Sequence, residues 1–298
     1  GSDALLDLAW QYKSNVNFIR FCKDNSERVK LSEICLSISK EGEKKRDLIA
    51  LIDKSQTLDL YKKAVKEYEN IMDAHWFFSE EIYRWIETIE KISGDQVSNL
   101  SNENIVLYRE ISKVIHAIDN RLELRGRDSL GISIVFSSSE YKNEHKKNFK
   151  NKYESYYFFK NKNNKKETHS FVFKTCNSIG GLGDNANEIK RLFLENEYIN
   201  DLIKSTKIFS ATIMAHTRWA SVGAVNIENA HPTVLTNDSK NNKNQILSLL
   251  NGDIYNYKDV INSSKEEHLE IIKKSECTND SLAIPSYLLG KDVIDVEV

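Results

Sequence analysis

The chain has 298 residues, with 42 lysines and arginines against 44 aspartates and glutamates and a formal net charge of −2. That length fits one large domain or two smaller ones around a sizeable core, and the near-neutral balance gives no electrostatic reason to expect nucleic acid or an anionic membrane as a partner. No apolar run approaches the ~18 residues of a membrane span and no secretory pattern opens the chain, so a cytoplasmic location is expected. The four cysteines, Cys22, Cys35, Cys176 and Cys277, stand far apart without CxxC or Cys/His ligand spacing. Separate thiols in a reducing compartment follow, and neither a metal nor a cofactor is expected.

In chain order, amphipathic helices are predicted over about 4–22, 27–39 and 43–53. A long helix is predicted from Leu58 to Ile92, where Tyr61, Val65, Tyr68, Met72, His75, Ile82, Ile86 and Ile89 recur three or four residues apart, with Trp76 and Trp85 widening the stripe. Such a stripe must bury itself against another helix, so residues 3–100 read as an all-α region for packing or interaction, without a catalytic constellation. A polar stretch, Ser93 to Glu103, leads to a helix over 104–123. After it the character changes: seven of the eleven glycines fall between Gly126 and Gly252, and both prolines, Pro232 and Pro285, lie beyond residue 230. Gly131–Phe136 reads as a strand and 137–152 as a solvated loop. Tyr153–Lys160 and Thr168–Thr175 read as a hairpin turning at Asn-Lys-Asn-Asn. A helix at 186–204, strands at 209–216 and 245–250, and helices at 257–273 and from about 281 complete an α+β region over 101–298.

Four segments of this region join strands to irregular structure: Arg125–Gly131, His216–Gly223, Asn251-Gly252 and Thr278–Ser281. Each has an ordinary reading alone, as a glycine turn, a surface cation–π pair, a hairpin dipeptide or a helix N-cap. Together they supply parts for binding an amino acid. Arg218 can hold a carboxylate bidentately and Asp280 can pair with an ammonium. Asn251 and the Gly252 N–H can donate to a developing oxyanion, with glycine permitting close approach. The set holds no obvious nucleophile.

The segment Arg121-Leu-Glu-Leu-Arg-Gly-Arg-Asp-Ser-Leu-Gly-Ile132 resembles the RLEYRGYDSAGI stretch of the glucosamine-6-phosphate synthase family of class II glutamine amidotransferases. Ala215-His-Thr-Arg-Trp-Ala-Ser221 is similar to its AHTRWAT loop, Asn229-Ala-His-Pro232 to its NAHP, Leu250–Tyr257 to its HNGIIENY, and Thr278–Ser281 stands at its TDTE. The resemblance runs from about residue 104 to the end. It implies a partial αββα sandwich of the N-terminal-nucleophile type, truncated at its C-terminus and preceded by the helical region. In that family an N-terminal cysteine attacks the glutamine side-chain amide, and ammonia passes to phosphosugar isomerase domains that aminate fructose 6-phosphate.

Carried over, the resemblance implies L-glutamine as ligand, with its carboxylate on Arg218, Trp219 and Ser221 shaping the same loop, and its ammonium on Asp280 or on Asn279. Asn251 and Gly252 would form the oxyanion hole, and Arg125 and Gly126 would border the nucleophile. His216 and His231 match family histidines read as structural. The opening Cys-Gly-Ile strand is not found before the helix at 104, and Val222 and Leu250 replace family histidines. Two expectations compete. In one, the nucleophile strand lies upstream of residue 1, residues 3–100 are an insertion, and the parent enzyme works with its isomerase domains, a homodimer being a further option. In the other, the chain is a catalytically inactive, amidotransferase-like interaction module whose helices bind a partner.

Overall fold

The computed structural model describes residues 1–52, 58–118, 122–141, 156–163, 166–176, 181–220, 222–239 and 242–289. The chain divides into two compact units, 1–112 and 113–298.

The first unit is helical: α1 (Ser2–Gln11), α2 (Asn15–Lys23), α3 (Asn25–Ala50), α4 (Leu58–Trp76), α5 (Tyr83–Ser93) and the first part of α6 (Asn102–Ala117). The segments expected at 27–39 and 43–53 are one helix, α3. An interior glycine costs a helix only about 1 kcal/mol, and Leu31, Cys35, Ile38 and Gly42 share its buried side. The helix expected over 58–92 is continuous in direction of chain but not in winding, because a π-helical segment, Phe77–Ile82, joins α4 to α5. Its wider turn re-phases the stripe, so that Phe77, Phe78, Ile82, Trp85, Ile86 and Ile89 are all buried. Aromatic edges meet there, Tyr12 against Phe21 at 5.9 Å and against Phe78 at 5.6 Å. Arg109, buried, lies 4.8 Å over the Phe18 ring and donates to the Lys13 carbonyl at 3.3 Å. It is a cation used as packing material.

The second unit follows with β1 (Ser129–Ser139), β2 (Tyr156–Asn163), β3 (Lys166–Thr175), α7 (Asp184–Glu195), α8 (Glu197–Ser205), β4 (Ile208–Arg218), β5 (Thr233–Ser239), β6 (Asn242–Ser248), α9 (Tyr257–Asn262), α10 (Glu266–Lys274), a 3-10 turn at Asp280–Leu282 and α11 (Ala283–Leu288). Every strand pairing is antiparallel, in one sheet ordered β2-β3-β1-β4 and a second of β5 and β6. The architecture is therefore mixed α+β, an N-terminal helical stretch followed by two small open sheets flanked by helices.

Alternation in β1 decides what packs where. Leu130, Ile132, Ile134 and Phe136 are buried on one face, beside Phe173 and Phe171 of β3, and α7 and α8 cover them through Phe193 and Tyr198. On the other face Gly131 meets the His231–Pro232 segment: a Cβ on Gly131 would sit 1.8 Å from the His231 carbonyl oxygen. Only glycine lets the two backbones approach so closely. The second sheet buries Leu235 with Ile272, Leu282 and Leu289.

Several predicted elements are corrected. The helix expected at 186–204 breaks at Asn196, whose side chain accepts from the Ile199 N–H at 3.0 Å and so starts a new helix, α8. The helix expected at 257–273 is two, α9 and α10, separated by a Ser263–Lys265 link. In the hairpin, Asn163 pairs with Lys166, so the strands run through the Asn161–Asn163 stretch read as turn, and the turn itself lies outside the described residues, as does most of the loop expected at 137–152. Strand β5 is not anticipated at all, because Thr-Val-Leu-Thr-Asn-Asp-Ser offers two adjacent apolar residues and no alternation.

Candidate functional site

The site lies in the second unit, where the end of β4, the segment before β1 and the segment after β6 converge. Arg218 is the last residue of β4, paired across the ladder with Ser129 of β1. The chain leading into β1 is drawn against it: the Asp128 N–H donates to the Arg218 carbonyl at 3.2 Å, and a Cβ on Gly126 would lie 2.9 Å from the Arg218 carbonyl carbon. Asp128 Oδ2 accepts from the Ala220 N–H at 2.8 Å, which fixes the turn after β4.

A cavity of about 560 Å³ opens there, with Arg125, Arg218, Trp219, Asn251, Gly252 and Asp280 on its wall together with His216, Thr217, His231, Leu250 and Asp253. Arg218 is 6% exposed, and its guanidinium donates to the carbonyls of Ala224, at 3.2 Å, and Val222. No carboxylate pairs with it among the described residues. Asp280, 8% exposed, accepts from the Ile254 N–H at 2.8 Å through Oδ2. It too has no ionic partner among the described residues. Burying a charge without a counter-ion is costly, and one basic and one acidic group are left this way on the wall of one cavity.

The other predicted residues fall as follows. Asn251 is exposed at the cavity, its side-chain amide without a hydrogen bond among the described residues. Gly252 has φ +151°, a conformation that favours glycine, and faces open space. Trp219 is 76% exposed at the rim, and also borders a neighbouring cavity of about 480 Å³ that takes in Gly126 and Asp128. Arg125 reaches the main cavity while Gly126 reaches the neighbouring one. Ser221 lies outside the described residues. Of the two candidates for the ammonium position, Asp280 faces the cavity and Asn279 turns away, its side chain donating to the Asn229 carbonyl at 2.8 Å.

His216 and His231 meet at the back wall with ring centroids 4.4 Å apart and planes tilted by 46°, and Nδ1 of each is buried without a hydrogen-bond partner among the described residues. Burial pushes both imidazoles below their usual range, and His216 and the Arg218 guanidinium add to the effect at His231, which falls to about 4. Both rings are neutral at pH 7, so the guanidinium of Arg218 dominates the charge on that wall.

No family model, no curated protein and no solved structure matches the chain.

The described walls of the cavity carry no thiol, and their one hydroxyl, on Thr217, donates to the Leu122 carbonyl at 3.2 Å. The cysteines lie elsewhere. Burial raises the Cys22 thiol to about 12 and Cys35 to about 11, and pushes Cys176 and Cys277 upward as well. Thiols held protonated in this way are poor nucleophiles. Among the described residues no three His, Cys, Asp or Glu side chains gather as a metal site requires, and no helix is long and apolar enough to cross a membrane.

One residue of the site was not singled out from the sequence. Asn229, fully buried, bonds to Ala224, Thr278 and Asn279. Its signal was the Asn-Ala-His-Pro motif itself.

Proposed function

We propose that the cavity binds a free α-amino acid and that the ligand is L-glutamine, held as in the class II amidotransferases the sequence resembles. The observation that carries this reading is the buried Arg218 and the buried Asp280, neither with a counter-ion among the described residues, on one wall system. An α-carboxylate and an α-ammonium supply the two missing partners, and charge-assisted bonds of this kind are about twice as strong as neutral ones. Asn251 and the Gly252 N–H then face the side-chain amide, as an oxyanion hole does. Arg125 and Trp219 border the mouth.

The two sheets between helices support a partial αββα sandwich as the finer description of the fold. Among the described residues strand β4 is an edge of its sheet, exposed from Phe209 to Thr212, the place where a further strand bearing a cysteine would pair. Ammonia transfer to fructose 6-phosphate, and the isomerase domains that would receive it, rest on the sequence resemblance alone. A second reading, an amidotransferase-like module that binds without cutting, is favoured by one observation: the absence of a thiol from the described cavity walls.

Ligand analogues separate the parts of this assignment. Glutaramic acid lacks the α-amino group of glutamine, and 4-aminobutanamide lacks its α-carboxylate. Each is expected to bind about tenfold or more weakly than L-glutamine, the equivalent of one charged hydrogen bond. Equal affinity for all three would show that Arg218 and Asp280 do not read the two charges.

A further inference from the structure

We propose that Asn229 is a positioning residue, a single buried amide that sets the separation between Arg218 and Asp280. This role rests on the amino-acid reading above, and the hydrogen bonds on which it stands do not.

The side chain is fully buried, and every polar function it has is used. Nδ2 donates to the Ala224 carbonyl at 3.0 Å and to Thr278 Oγ1 at 3.0 Å. Oδ1 accepts from the N–H groups of Thr278 at 2.7 Å and Asn279 at 3.1 Å. An asparagine has two amide hydrogens and two acceptor lone pairs, so the side chain is saturated and only one orientation of the amide satisfies it. Its main chain joins in, the carbonyl accepting from Asn279 Nδ2 at 2.8 Å and the N–H donating to Asn226 Oδ1 at 3.0 Å.

The two ends of this bridge matter for the cavity. The Ala224 carbonyl that accepts from Asn229 also accepts from Arg218 Nη1 at 3.2 Å, so one oxygen carries both groups. At the other end Thr278 and Asn279 immediately precede Asp280. Asn279 is itself locked, its Oδ1 accepting from Ser281 Oγ at 2.6 Å and Cys277 Sγ at 3.2 Å, and Ser281 Oγ meets Thr233 Oγ1 of β5 at 2.5 Å. Gly223 between the two ends leaves no slack: a Cβ there would lie 3.2 Å from Asn229 Nδ2 and 3.3 Å from the Asn279 nitrogen. Arg218 sits on a strand and Asp280 on a turn some 60 residues later, and the Asn229 amide is the shared contact that fixes one segment relative to the other. Preorganisation of this kind lowers the cost of ordering the site when a ligand arrives.

Asn229→Asp tests the bridge. It keeps an acceptor for Thr278 and Asn279 but sets an oxygen against the Ala224 carbonyl, so the Asp280 end stays tied while the Arg218 end is released. Two readouts are taken on the folded variant. The Arg218 guanidinium resonances are expected to shift relative to wild type while amide exchange over 277–282 is unchanged, and unchanged Arg218 resonances would overturn the bridge whatever the ligand. In binding, affinity for L-glutamine is expected to fall about tenfold, one lost hydrogen bond's worth, with no change for 4-aminobutanamide, which has no carboxylate for Arg218. An equal loss for both compounds would assign Asn229 a merely structural part and overturn the proposal. If the wild-type chain binds no glutamine, the amino-acid reading fails and the positioning role with it, while the Arg218 resonances still decide whether the bridge exists.

Discussion

The two adjacent histidines behind the cavity make the stability of the second unit depend on pH in a defined window. His231 falls from an ordinary 6.5 to about 4 because burial disfavours its charged form. The sign follows from proton binding. Below pH 6.5 the unfolded chain takes up a proton on His231 while the folded chain does not, so stability declines as pH drops, and the decline ends near pH 4, where both states are protonated. At about 1.4 kcal/mol per pH unit the loss from this one group amounts to about 3 kcal/mol. Replacing His231 with Gln removes the titration. Carboxylates also titrate in this range, so the quantity to follow is the difference between variant and wild type. Urea denaturation read by hydrogen exchange of β1 and β4 peptides reports the second unit by itself. The difference is expected to shift by about 3 kcal/mol in favour of His231→Gln between pH 7 and pH 4. Parallel profiles would refute the reasoning, because they would mean that His231 takes its proton in the fold as readily as in water.

Two further substitutions test the packing around the site. Gly131→Ala places a methyl 1.8 Å from the His231 carbonyl oxygen, and because that neighbour is backbone the cost is expected to be about 3 kcal/mol or more; a urea midpoint like that of wild type would deny the close approach of β1 to the His231–Pro232 segment. Asn196→Ala removes the cap of α8 and is expected to cost about 1 kcal/mol, seen as faster exchange of the first turn of that helix.

Most of the residues the sequence singles out come together at one cavity of the second unit. Arg218, Asn251, Gly252 and Asp280 stand at strand ends or turns, where charged and amide side chains have no ordinary packing role, and the cavity gathers them along with Arg125 and Trp219. Arg218 held a surprise, since two backbone carbonyls already occupy part of its guanidinium. The choice between Asn279 and Asp280 could not be made from Thr-Asn-Asp-Ser, because which side chain faces the cavity depends on a hub 50 residues away. That hub, Asn229, carries a local motif, but its role lies in its partners, the 224 and 278–279 backbones, the latter some 50 residues away in sequence. Strand β5 was missed for a related reason, as its Thr, Asn and Asp carry no periodicity and its partner β6 supplies the pairing. The helices were legible by stripe, and the errors fell at their joints. Gly42 did not break α3, while Asn196 did break the helix after β3 by offering a cap.

Calorimetric titration of L-glutamine into the wild-type chain and into Arg218→Ala tests the central claim most directly. Binding by the wild type, lost on removal of the guanidinium while β1 and β4 keep their exchange protection, is the predicted result. A folded wild-type chain that takes up no glutamine, or an Arg218→Ala variant that binds it equally well, would contradict the account.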